Sequence, residues 1–314
     1  MSQDESTIRD GAEAGGSGQD HGADSAEVQR QKSLRNLFAF DTRDIEIPVD
    51  ASSDPTRPKT AVHVFRLPET PAEWNQYLLD REALLLTEVK QDTPTELEYK
   101  SDNDKADLAL YRRVIFELGG YRVGDGLPAA ALRKVQDHGD LLETVLRKFP
   151  SHALEAVEGL LEIQVEVVED DEDGISIDEG GEIRLREWMG PKDRPVYEVF
   201  YTAREVEEDE KEAYRRKASK ARQVAGSRKM HTVIRYRLAP AEKYFADWIL
   251  NVEQGTVPDP AGERIDLGDG RPKVKRRLFD EVDRDYFFGY ISLLRKRAVC
   301  NAIVGFREGK RRDL

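Results

Sequence analysis

Ala61-Val62-His63-Val64-Phe65-Arg66-Leu67-Pro68-Glu69-Thr70-Pro71-Ala72-Glu73-Trp74 decides how this chain is read. Residues 61–67 are rich in β-branched and aromatic side chains, as a strand is. Pro68 stops the strand. Thr70 then stands at a helix N-cap, Pro71 at the first helical position, and Glu73 completes a capping box. Trp74, Tyr77, Leu78, Arg81 and Leu85 follow at helical spacing. Upstream, Ile45-Glu46-Ile47-Pro48-Val49 alternates apolar and polar. Pro48 has no N–H for a ladder, which sets that strand at a sheet edge. A Pro/Ser/Asp turn, Ser52 to Pro58, joins the two strands into a hairpin.

Working downstream, Gln91 to Asp104 reads as an acidic loop. Asp107 to Leu118 reads as a helix with Leu108, Tyr111, Ile115 and Leu118 on one stripe, ended by Gly119-Gly120. Pro128–Arg147 and Ser151–Leu161 carry two more helical patterns. Ile163, Val165 and Val167 alternate ahead of the most acidic region. There Ile175–Ile177 and Ile183–Leu185 flank the turn Asp178–Glu182 and read as a hairpin. Val196–Tyr201 is a strand and Arg204–Val224 a long charged helix. Val233–Leu238 is a short strand and Pro240–Gln254 a helix. Val257–Pro272 is a loop, and Leu278 to about Phe306 is helical throughout.

Residues 40–160 laid over 180–305 repeat one order of features. Ile45/Ile47 answers Ile183/Leu185, Val64-Phe65 answers Val199-Phe200, and Tyr77 answers Tyr214. Tyr111/Ile115 answers Tyr244/Trp248, and His152 answers Tyr286. The offsets are 138, 135, 137, 133 and 134. The expectation is an α+β, mostly helical chain of two similar hairpin-plus-helices domains, 33–162 and 163–314. They follow a disordered acidic arm, 1–32, which holds too few apolar residues to offset its ordering entropy.

Composition narrows the function. The 314 residues carry a net charge of −13 and one cysteine. No run approaches the ~20 apolar residues that span a bilayer. The N-terminus lacks the basic and apolar regions of a secretory signal, so the expected place is the cytoplasm. Cys300 alone excludes an internal disulfide and cysteine-based metal sites, and its apolar helical setting reads as a buried inert thiol. His21, His63, His138, His152 and His231 show no metal-ligand spacing. No phosphate loop or dinucleotide fingerprint occurs. Gly124-Asp125-Gly126 and Gly268-Asp269-Gly270 each carry a carboxylate that would repel phosphate. Asp170-Asp171-Glu172-Asp173-Gly174 is similar to the start of a calcium loop but lacks the glutamate at its twelfth position, leaving a solvated hairpin tip. No metal or cofactor is expected.

The C-terminal stretch differs. Residues 271–314 hold 13 Lys/Arg against 6 Asp/Glu. Lys273, Lys275, Arg276 and Arg277 form one cluster, and Arg295, Lys296 and Arg297 a second. They read as a protein-docking surface, for an acidic partner or for the chain's own acidic half. Nucleic acid is the weaker match, because whole-chain acidity opposes its approach.

A strand ending Val64-Phe65-Arg66-Leu67, a proline-started helix with Trp74 and Tyr77, and a Tyr111 helix before a Gly-rich break are echoed in the second half. The echo is Phe200-Tyr201-Thr202-Ala203-Arg204, then Glu212-Ala213-Tyr214 and Tyr244 to Trp248. This order resembles accessory proteins of tailed-bacteriophage tail clusters, tail-assembly chaperones among them, over 40–120 and 190–300. Its landmarks are hydrophobic, so it transfers no site residue. It implies a non-enzymatic protein that binds another tail protein, in the host cytoplasm or the virion. Two other readings stay open. One is an enzyme in which His63, His152 or His231 meets carboxylates in a cleft. The other is a nucleic-acid-associated module using 271–314.

Overall fold

The computed structural model describes residues 20–34, 44–50, 60–68, 70–86, 95–121, 133–135, 139–168, 181–189, 192, 197–226, 228–268 and 272–305. The fold is mixed α+β. The first half runs α1 (Asp20–Ser33), β1 (Asp44–Asp50), β2 (Thr60–Arg66), α2 (Pro71–Leu86), α3 (Glu96–Val114), β3 (Ile115–Gly119), β4 (Arg133–Lys134), α4 (Gly139–Lys148) and α5 (Pro150–Leu161). The second runs β5 (Gln164–Val167), β6 (Glu182–Met189), β7 (Tyr197–Arg204), α6 (Glu208–Ala218), β8 (Ser219–Ala225), β9 (Met230–Tyr236), α7 (Ala239–Trp248) and β10 (Ile249–Glu253). Four two-residue strands follow, β11 (Val257–Pro258), β12 (Arg264–Ile265), β13 (Lys273–Val274) and β14 (Arg276–Arg277), then α8 (Arg284–Gly289) and α9 (Leu293–Gly305). Among the described residues no helix is long and apolar enough to cross a membrane.

Two antiparallel sheets organise these elements, ordered β1-β2-β3-β4 and β10-β7-β6-β5. Within them β1-β2-β3 and β6-β7-β10 share one plan. A hairpin leads through two helices to a third strand, which pairs beside the second. Ile47 faces His63 across the first hairpin and Leu185 faces Tyr201 across the second. Ala61, His63 and Phe65 of β2 are buried, as are Val199, Tyr201 and Ala203 of β7. Phe65 meets Tyr111 edge-on at 5.5 Å, and Tyr201 meets Phe245 edge-on at 5.7 Å. β1 lies at a sheet edge, where Pro48 costs no ladder bond.

Several boundaries differ from the sequence expectation. α3, α6 and α7 end as strands with no loop between. Ile115, Ser219 and Ile249 adopt extended backbone while their N–H groups still bond the carbonyls of Tyr111, Arg215 and Phe245. The helices expected through Leu118, Val224 and Gln254 therefore stop early. Helix α3 starts inside the expected loop, at a capping box. Thr95 Oγ1 accepts the Glu98 N–H at 3.3 Å, and Glu98 accepts the Thr95 N–H at 2.8 Å. Thr70 caps α2 as expected, accepting the Glu73 N–H at 3.3 Å, while the Glu73 carboxylate accepts from the Tyr77 hydroxyl at 2.7 Å. The stretch 278–306 is broken, because Asp283 caps α8 and Ser292 caps α9. Strand β6 pairs with β5 and β7. Ile175–Ile177 and the acidic tip of the expected hairpin lie outside the described residues.

Residues 20–32, expected to be disordered, belong to helix α1. Arg30 and Lys32 in its last turn suit the helix dipole. Its anchor is tertiary. The Gln31 side chain donates to the Arg276 carbonyl at 3.1 Å and accepts the Arg276 N–H at 2.8 Å, as a neighbouring strand would. Arg30 pairs with Glu281.

Helix α9 joins the halves. Leu293 and Leu294 belong to the core of the first sheet, whereas Val299, Cys300, Ile303 and Val304 belong to that of the second. The Leu293 N–H donates to Asn75 Oδ1 of α2 at 2.8 Å. Deeper, Glu187 of β6 is 1% exposed. It accepts Arg295 Nε at 2.6 Å and the Tyr201 hydroxyl at 2.6 Å. Burial raises the Tyr201 pKa well above its ordinary value, which keeps the hydroxyl a donor. Burial lowers the Arg295 pKa, and Glu187 opposes that shift. Breaking a buried pair from one side costs roughly 3–5 kcal/mol, whereas an apolar replacement of both partners is often neutral. Urea unfolding should show a loss of that size in Glu187→Gln and a smaller one in Glu187→Leu/Arg295→Met. Equal losses in both would contradict the pairing.

Candidate functional site

Among the described residues, Lys275, Arg277, Arg295 and Lys296 of the C-terminal cations pair with carboxylates of the chain itself. Lys275 Nζ lies 2.6 Å from Glu263. Arg277 reaches Asp259 at 2.8 Å and Glu263 at 3.1 Å. The Asp259 pair raises the Arg277 pKa and lowers that of Asp259. Arg276 donates to the Leu34 carbonyl at 2.7 Å. Lys296, 1% exposed, reaches Glu242 at 2.5 Å. Arg295 and Lys296 are thus interior residues and no part of an external docking surface. Lys273 is exposed on β13. Arg297 lines a groove of about 440 Å³ with Ile163, Val165, Leu294 and Asn301, between α9 and the edge strand β5. The complementarity read from the sequence is in large part internal.

A larger groove, about 620 Å³, runs between edge strand β1 and α5. Ile47, Pro48, Gly159 and Leu161 give it apolar walls, and Glu155, Glu158 and Glu162 give it an acidic rim. Gly159 permits the close packing, since a Cβ there would lie 3.0 Å from Ile47 Cγ2.

The histidines separate. His231 is exposed on β9, while His63 is wholly enclosed in the first core. His63 Nδ1 is 3.0 Å from the Tyr111 hydroxyl and Nε2 is 2.6 Å from that of Tyr121. The Tyr121 hydroxyl also lies 3.3 Å from His152 Nδ1, and His152 stacks on half-exposed Phe149 with ring centroids 5.0 Å apart. A neutral imidazole suits this chain, because it donates to one hydroxyl and accepts from the other. Burial, and secondarily His152, push His63 down from 6.5 to about 4. Burial also raises Tyr111 and Tyr121, keeping both hydroxyls protonated. Cys300 is enclosed as expected, and burial raises its thiol pKa.

One basic region escaped the sequence reading. Residues 215–237 hold nine Lys/Arg and no Asp or Glu. They span the end of α6 and the two-stranded sheet β8–β9, which is hydrogen-bonded to neither larger sheet. The Gly226 N–H donates to the Lys229 carbonyl at 3.0 Å and closes the tip. A Cβ on Gly226 would lie 2.9 Å from that oxygen. Arg228, Lys229, Met230, His231 and Thr232 are all exposed. Ala225 bridges to Thr95, tying the ribbon to the start of α3. A charge count in a sliding window marks this stretch, whereas the whole-chain sum hides it.

The calcium-like run 169–180 and Gly124-Asp125-Gly126 lie outside the described residues. Among the described residues no three His, Cys, Asp or Glu side chains group as a metal site would. No family model, curated protein or solved structure matches the chain.

The His63 shift fixes a sign. Folded His63 stays neutral down to about pH 4, while the unfolded chain protonates it through about 6.5. Its contribution is fully present above 6.5 and is lost as pH falls towards 4, by roughly 3 kcal/mol. Urea midpoints of the native chain should fall more between neutral and mildly acidic pH than those of His63→Gln. Matching falls would contradict the assignment.

Proposed function

We propose that the chain is a non-enzymatic protein-binding factor whose docking site is the groove between β1 and α5. The groove itself carries this reading, with its apolar walls and its rim of Glu155, Glu158 and Glu162. Charge complementarity selects an apolar peptide segment bearing Lys or Arg. The adjoining edge strand offers backbone groups for strand addition, except at Pro48, which favours side-chain capture there. Assembly of a phage tail, the setting that the resemblance implies, would supply such a segment from another tail protein. The enclosure of His63 and the ion-pairing of Lys275, Arg277, Arg295 and Lys296 favour binding over catalysis.

Peptide display against the immobilised full chain tests this. Enriched sequences should combine apolar residues with Lys or Arg, and should lose binding to Glu158→Lys/Glu162→Lys. No enrichment, or peptides indifferent to that variant, would contradict it.

A further inference from the structure

We infer that the β8–β9 ribbon is a nucleic-acid-binding arm that engages the phosphodiester backbone, independently of the β1–α5 groove. Over 215–237 the chain gathers nine cations without a carboxylate, against a whole-chain charge of −13; Arg215 and Arg237 at its two ends pair with Glu208 and Glu82. At the tip Arg228, Lys229 and His231 are exposed and have no partner among the described residues. Arg216 of α6 is exposed in the same way.

Geometry agrees with charge. A ribbon of two seven-residue strands is about 23 Å long, and a duplex major groove admits a two-stranded ribbon. Exposed Gln223 and Thr232 add hydrogen-bond donors of the kind that position phosphates. Met230, 58% exposed beside these cations, is an apolar side chain of the type that wedges against bases. A protein partner matches less well at the exposed tip, because Arg228 to Thr232 hold Met230 as their one apolar side chain, and an interface core needs more. The chain's net acidity does not forbid contact. At physiological salt the Debye length is about 8 Å, so the exposed tip is screened from carboxylates farther away than that.

Fluorescence anisotropy of the full chain tests the arm, with a labelled duplex of about 20 bp and a single strand of the same length, at about 50 and 200 mM NaCl. Three or more phosphate contacts predict a loss of roughly 40-fold or greater for the duplex over that salt range, and of roughly 20-fold or greater for the single strand. Arg228→Glu/Lys229→Glu should cost roughly tenfold or more at low salt, while the charge-matched Arg147→Glu/Lys148→Glu on α4 keeps most of the binding. Binding to neither probe at low salt, or equal losses in both variants, would overturn the proposal. Ribbon-dependent binding of polyglutamate without binding of either nucleic acid would overturn it too, and would assign the arm to an acidic protein.

Discussion

The Glu187 carboxylate, sealed between Arg295 of α9 and Tyr201 of β7, is the contact on which the rest of the molecule depends. A carboxylate and a guanidinium taken out of water are stable only when both are held in place. That requirement fixes α9 against the second sheet. Once fixed, α9 presents Leu293 and Leu294 to the first core, and its first N–H to Asn75. Leu238, which begins α7, is drawn into the same core, and its N–H donates to the buried carboxylate of Glu82 at 2.7 Å. Two sheets of similar plan thereby share one helix, with polar contacts setting its position and apolar residues filling the space.

This arrangement consumes charge. The cations that look like an external surface in the sequence are spent on Glu187, Glu242, Asp259 and Glu263. Helix α1 extends the pattern, since Gln31 and Arg30 bind the same C-terminal segment. Among the described residues, Arg228 and Lys229 at the β8–β9 tip are exposed cations, and Glu155, Glu158 and Glu162 rim the β1–α5 groove. The net charge of −13 therefore averages over internally paired charges and features of opposite sign placed on different elements.

Legibility followed punctuation. Strand β2 and helix α2 could be read because Pro68, Thr70 and Pro71 mark their junction, and Pro48 correctly set β1 at an edge. The α3–β3 and α7–β10 boundaries could not, because Ile115 and Ile249 satisfy helical and strand periods alike and no Gly or Pro intervenes. The Thr95–Glu98 box was legible but was hidden by the acidic composition around it. The order in α1 had no local signal, since its anchor is a backbone segment 245 residues away. Arg295 and Lys296 read as surface because charge usually is. Their burial rests on carboxylates 108 and 54 residues distant. The ribbon was lost in a whole-chain sum, and the groove depends on α5 packing against β1, which no local pattern encodes.

Hydrogen exchange of the full chain under native conditions measures directly whether one helix holds two cores. If α9 is the shared element, its amides exchange only with global unfolding, at the same free energy as those of β2 and β7. Exchange of α9 well before both sheets, or separate opening of the sheets with α9 still protected, would contradict that architecture.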